Sequence, residues 1–205
     1  THLYRIMGEE PGAIEYHKTN HVIIIKTHGR RCIQSAFEVL GYGEHTPKSF
    51  SALTLKHKNP SATIIMFSTG NITIMGPKTM WGAIYVLQKL KRKVDLKIIH
   101  IKLTNVVVKF SYKNGEMDIA KLYDWDKSNC ECDMELFPSC TYMVPHSSVK
   151  ANFFNSGKVV VTGCSTEAVV ENVIRHLVRV IHTFYDDGTK IKVVDKKLVV
   201  VKDLL

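Results

Sequence analysis

No apolar run in this chain approaches the roughly 18 residues that a membrane-spanning helix needs, because Lys, Arg, His or Asn interrupts each one. No basic-apolar-small leader opens it, so neither secretion nor membrane insertion is expected. Catalytic signatures are missing as well. There is no G-x-S-x-G, no phosphate-binding glycine loop and no paired-carboxylate cluster at workable spacing, so an enzyme is not expected. Cysteine is scarce and odd in number: Cys32, Cys130, Cys132, Cys140 and Cys164. Cys130, Cys132, Cys140 and His146 could be drawn as a zinc set. The C-x-C spacing is not the usual knuckle and no matching second pair exists, so free thiols are expected in a reducing compartment, with no metal and no cofactor.

Acidic residues are in deficit. Against 28 Lys and Arg stand 19 Asp and Glu, a formal charge of +9. Such a balance favours an acidic partner, most often nucleic acid, although a merely solvated basic surface gives the same count. The acidic residues that are present include Asp124, Asp126, Glu131, Asp133 and Glu135, which read as a solvated linker.

An internal repeat is what the chain does have. FSALTLKHKNPSATIIMFSTGNITIMGPKT, from Phe50, aligns without a gap on FPSCTYMVPHSSVKANFFNSGKVVVTGCST, from Phe137, at an offset of 87 residues. Phe50 pairs with Phe137, Phe67 with Phe154, Gly70 with Gly157 and Gly76 with Gly163. Residues 21–27, 51–57, 62–67 and 71–75 read as strands in the first copy, and 97–110, 139–144, 149–154 and 158–162 in the second. Gly70 and Gly157 read as hairpin turns.

Each copy runs on into an amphipathic helix. In the first, Pro77 suits the first helical turn, Trp81, Ile84, Leu87 and Leu90 form the apolar face, and Lys89, Lys91, Arg92 and Lys93 load the C-terminal end. In the second, Val170, Val173, Ile174, Leu177, Val180, Ile181 and Phe184 share one face. Ser165 or Thr166 caps it, with Glu167 in the first turn. Arg175, His176 and Arg179 read as its wet side. The fold class is therefore α+β, two copies of antiparallel strands followed by a long helix.

The motifs resemble the TATA-box-binding protein family. TPKSF at 46–50, MFSTGN at 66–71 and MGPK at 75–78 match its first repeat; MELFPS at 134–139, FFNSGK at 153–158 and VTGCS at 161–165 match its second. The resemblance implies a saddle of two pseudo-symmetric repeats with helices on the convex face. Its parts would be an N-terminal extension 1–17, repeats at 18–93 and 94–185, and a C-terminal extension 186–205. It implies a transcription initiation factor that bends DNA through the minor groove.

On that resemblance Phe50, Phe67, Phe137 and Phe154 are wedges between base pairs, Asn20, Val22, Ile65, Val160 and Thr162 are groove-floor positions, and Lys78 and Lys158 touch phosphates. Asp133, Glu135 and Leu136 take the place of the loop that docks transcription factor IIB. The implied partners are an A·T-rich promoter duplex, a factor IIB-like protein and the RNA polymerase machinery. The implied location is the nucleus, or a cytoplasmic site of viral transcription.

Several positions depart from the family pattern. The second central asparagine is missing: one alignment puts His100 there, a one-residue shift Ile101. A floor leucine becomes Asn152, a floor valine Thr73, a threonine Met75, a hairpin lysine Asn71 and a helix-opening lysine Ser165. Such drift would suit a relative encoded by a large DNA virus. It also leaves open an alternative, a protein–protein module of the same fold with weak or no sequence-specific DNA binding. The tail 190–205, KIKVVDKKLVVVKDLL, reads as a hairpin, an added edge strand or an interaction arm.

Overall fold

The computed structural model describes residues 16–30, 33–45, 52–111, 116–133, 135 and 137–184, without the side chains of residues 182 and 184. The wedge candidate Phe50, the docking-loop candidate Leu136, the terminal extensions but for residues 16 and 17, and the helix-face candidate Phe184 (as to its side chain) lie outside them. Ten strands and four helices are found in this span. The strands are β1 Tyr16–Thr27, β2 Glu44–His45, β3 Ala52–His57, β4 Ala62–Phe67, β5 Ile72–Met75, β6 Ile98–Ser111, β7 Cys130–Cys132, β8 Cys140–Met143, β9 Lys150–Phe153 and β10 Lys158–Cys164. The helices are α1 Ile33–Leu40, α2 Met80–Lys91, α3 Ile119–Trp125 and α4 Glu167–Phe184. No described helix is long and apolar enough to cross a membrane.

The chain divides into two compact units, the first holding Lys18–Val106 and the second holding Val107 onward. In the first, the sheet runs β2-β3-β4-β5-β1 and into β6. In the second, it leaves β6 as β10-β9-β8-β7. Neighbouring strands from β2 to β5, and from β7 to β10, pair antiparallel.

Strand alternation decides which side of each sheet is covered. In the first unit Ile23, Ile25, Leu53, Leu55, Ile64, Met66, Ile72 and Ile74 point one way into a core closed by Ile33, Ala36 and Leu40 of α1 and Ala83, Val86, Leu87 and Leu90 of α2. In the second unit Tyr142, Ala151, Phe153, Val159 and Val161 are buried with Ile119 and Leu122 of α3 and six α4 residues, Val170, Val173, Ile174, Leu177, Val180 and Ile181. Each such aliphatic side chain contributes about 1.5–3 kcal/mol by leaving water.

The 87-residue repeat holds at the level of single hydrogen bonds. The Phe67 amide donates to the Asn71 carbonyl at 2.9 Å, and the Phe154 amide to the Lys158 carbonyl at 3.0 Å. Thr79 Oγ1 accepts from the Gly82 amide at 3.0 Å, and Thr166 Oγ1 from the Val169 amide at 3.1 Å, so both helices are capped by the same residue type at the same place. Gly70 and Gly157 turn their hairpins at φ 92 and 77.

Sequence reading erred at α2. The helix begins at Met80 behind the Thr79 cap, so Pro77 is not in its first turn; the Pro77 carbonyl instead accepts from the His21 amide at 2.7 Å. Trp81 does not join the apolar face. It is 83 % exposed, because Ala83 and Val86 take the inward positions that the i, i+3 count had given to Trp81 and Ile84. The acidic stretch is solvated, with Asp124, Glu131, Asp133 and Glu135 exposed, but it is more than a linker. It carries α3 and β7, and Asp126 accepts from Ser128 and Asn129 side chains, bonds that hold its carboxyl below the usual carboxylate range.

Candidate nucleic-acid interface

The faces turned away from the helices carry the candidate residues. In the first unit one cross-strand row reads Thr54, Ile65, Thr73, Ile24, and the next reads Lys56, Thr63, Met75, Val22. Ile24 is 40 % exposed. Val22, Ile65, Thr73 and Met75 are half-buried by their neighbours alone. In the second unit the rows are Glu131, Thr141, Asn152, Val160 and Met143, Lys150, Thr162. All the predicted floor residues thus lie on uncovered faces: Asn20, Val22 and Ile65 in one unit, Val160 and Thr162 in the other.

Asn20 is held as well as placed. Its Oδ1 accepts from the Gly76 amide at 2.7 Å, which fixes the side-chain orientation and aims the amide nitrogen elsewhere. That contact depends on Gly76, at φ 109, following the strand closely enough that a Cβ there would meet the Ser61 carbonyl at 3.0 Å.

An asparagine in a setting like that of Asn20 lies in β6, at a position the sequence reading missed. Thr104-Asn105-Val106-Val107 in β6 repeats Thr19-Asn20-His21-Val22 in β1. Burial alternates identically: Asn105 and Val107 half-buried, Val106 and Val108 buried, as Asn20 and Val22 are half-buried and His21 and Ile23 buried. Thr104 Oγ1 donates to the Val22 carbonyl at 3.0 Å, tying the two segments together. His100 is an exposed residue nearer the start of the strand, and Ile101 is partly buried against the core of the first unit. The signal that could have found Asn105 was the shared T-N-x-V, whose offset is 85 rather than 87.

Of the wedge candidates, Phe137 and Phe154 come together. Their ring centroids lie 6.0 Å apart with planes 70° apart, edge to face, and Phe137 is 54 % exposed. The loop presenting Phe137 is closed by its amide donating to the Asp133 carbonyl at 2.9 Å and by the Ser139 amide donating to the Phe137 carbonyl at 2.7 Å. Phe67 ends β4 and is half-buried, and its Cα partner across the sheet is Ala52. Lys78 and Lys158 are exposed, as are Lys26 and Lys56 in the first unit and Lys109 and Lys150 in the second. Asp133 and Glu135 are exposed, and Asp133 Oδ1 accepts from the Glu135 amide at 3.2 Å.

The sulfur chemistry departs from the expectation of free thiols. Cys132 and Cys140 face each other across β7 and β8 and form a disulfide. Cys130 and Cys164 are free and buried, and burial pushes both thiols up to about 11, with Asp126 adding to the effect at Cys130. Neither is poised as a nucleophile.

Comparison with known proteins agrees with this architecture. The family model described as transcription factor TFIID, or TATA-binding protein, matches residues 31–95 and 100–184. The chain belongs to the TATA-binding protein family. A TATA-box-binding protein of Pyrococcus horikoshii is 24 % identical over 153 residues, 72 % of this chain and 79 % of the relative. TATA-box-binding protein-like 1 of Entamoeba histolytica is 31 % identical over 127 residues, 58 % of this chain and 57 % of that protein. The solved structure of Methanococcus jannaschii TBP superposes with a TM-score of 0.73 at 22 % identity, covering 82 % of this chain and 99 % of its own. The fold is thus that of TBP, a mostly antiparallel open sheet with helices, and the chain is a divergent TBP-like core domain. Members of the family are transcription factors rather than enzymes. These relatives are archaeal and amoebal and lend no support to a viral source.

Proposed function

We propose that this TBP-like chain binds and bends double-stranded DNA through the minor groove and so helps to start transcription. The observation that carries the reading is the edge-to-face pair of exposed Phe137 and half-buried Phe154, set beside an uncovered sheet face that carries Val160 and Thr162. An aromatic edge of this kind can enter a base step, at a cost of a few kcal/mol in unstacking, and the bent duplex then meets more protein. Phe50 and Phe67 do the same in the first repeat. Val22, Ile65, Val160 and Thr162 lie against base edges, and Asn20, with Asn105, donates to the acceptors of A·T pairs. Lys78 and Lys158 neutralise phosphates, which makes affinity fall with salt. Asp133, Glu135 and Leu136 offer an acidic-apolar loop to a factor IIB-like protein, which links the complex to RNA polymerase. The setting is the nucleus or its equivalent.

A second reading has one observation behind it. Trp81 and Tyr85, four residues apart on α2, line an open groove of about 540 Å³ with Asn59, Pro60, Gly82, Ile84 and Gln88. Large exposed aromatics of this kind mark protein contacts. On this reading the fold serves mainly to gather proteins and holds DNA weakly.

Selection from a random duplex library, with the winners titrated at two salt concentrations, tests the two. Enrichment of an A·T-rich motif with steep salt dependence supports the first. Weak, salt-insensitive binding without enrichment overturns it and leaves the second.

A further inference from the structure

The two uncovered faces differ in both rows, and one of the differences puts an amide where the first unit has an aliphatic side chain. In the first unit Ile65 lies beside Thr54; in the second, 87 residues on, Asn152 lies beside Thr141. An amide in an apolar floor is costly unless it is bonded, and here it is bonded on one side. Thr141 Oγ1 donates to Asn152 Oδ1 at 3.0 Å, along the row that continues to Val160. The hydroxyl proton uses one lone pair of the carbonyl oxygen. The other lone pair and the two Nδ2 protons have no partner among the described residues. Asn152 is also only half-buried, so a ligand on this face reaches it.

The minor groove poses one chemical question to such a residue. An A·T pair shows only acceptors there, A N3 and T O2, whereas a G·C pair adds the guanine N2 amine, a donor. An aliphatic floor residue such as Ile65 buries that amine without a partner and so rejects G·C. An amide oxygen held by a threonine can accept from it.

We propose that Asn152 is a specificity residue that admits a G·C pair in the half-site read by the second repeat, while the first repeat still requires A·T. The inference rests on the DNA-binding reading above. It makes the binding site asymmetric in base composition, with the G·C-tolerant half on the side of Phe137 and Phe154.

The test uses the full chain and an A·T-rich duplex from the selection. One pair at a time is replaced by G·C or by inosine·C, which lacks only the minor-groove amine. In the wild type one position should bind G·C about as well as A·T, and inosine·C there several-fold more weakly than G·C. In Asn152→Leu the order at that position should invert, with G·C weakened about tenfold and inosine·C returned to the A·T level; loss of one buried hydrogen bond is of this size. Ile65→Asn should open a second tolerant position in the other half. Uniform rejection of G·C by the wild type, or an unchanged profile in Asn152→Leu, overturns the inference while leaving DNA binding intact. Failure to bind any duplex overturns the DNA-binding reading itself, and this inference with it.

Discussion

The rings of Phe137 and Phe154 meet edge to face, with 6.0 Å between centroids, although they stand 17 residues apart in the chain. Two rings braced against each other lose little rotamer freedom when one enters a base step. Base–aromatic stacking is worth about 1–3 kcal/mol per ring. Changing both to Ala should abolish the bend at that end of the duplex while leaving much of the salt-dependent affinity. Energy transfer across an end-labelled duplex measures this, and an unchanged bend in the double variant would rule out the wedges.

Asn20 and Asn105 make separable predictions. Each should lose on the order of 1 kcal/mol of DNA affinity when changed to Asp, which keeps the acceptor but replaces the amide donors with charge. The Gly76 amide stays paired in Asn20→Asp, so the fold should hold. His100→Ala should leave affinity unchanged. Titration of the three variants on one duplex decides which residue pairs with Asn20 in function.

Gly163 sets up a stability prediction. At φ 92, a Cβ there would sit 2.7 Å from the Ser148 carbonyl. Gly163→Ala should cost about 1–3 kcal/mol, from both the left-handed backbone and the contact. Urea unfolding followed by circular dichroism would show it, and a midpoint within error of the wild type would contradict the close approach.

His176 gives the protein a pH dependence. Its Nε2 lies 3.1 Å from the Tyr142 hydroxyl, with the rings stacked at 5.9 Å. Burial first, then the like charge of Arg179, holds its pKa below the ordinary 6.5. The unfolded chain therefore takes up the proton first as pH falls, so stability declines from about pH 7 downward and levels off below the folded pKa. Denaturation at pH 7.5 and pH 5.5 should show the loss, and His176→Gln should lessen it. Equal slopes in both proteins would assign the effect elsewhere.

Much of the architecture could be read from the chain because the repeat is gapless where it matters. Phe50 to Thr79 and Phe137 to Thr166 share turn glycines, and those glycines are required by positive φ and close backbone contact rather than by side-chain chemistry. β2 and β7 escaped because they are two and three residues long; α1 and α3, of eight and seven residues, escaped although Ile33, Ala36, Phe37 and Leu40, and Ile119 and Leu122, recur at helical spacing, because so short a run is a weak signal. Trp81 misled because an aromatic at helical spacing was assumed to face inward, whereas the small Ala83 fits the tight contact with the sheet. Asn105 was passed over because its T-N-x-V recurs at an offset of 85 rather than 87. The cross-strand Cys132 and Cys140 pair could not be seen because it depends on register alone.

The exposure of Trp81 has an optical consequence. The chain has two tryptophans. Trp81, at 83 % exposed, belongs to the first unit, and Trp125, at 44 % exposed and 6.5 Å from the Tyr142 ring, belongs to the second. Each half therefore carries its own fluorophore, red-shifted to a different degree and differently open to soluble quenchers. A single-tryptophan version of either half would report melting and partner docking for that half alone, with no label added.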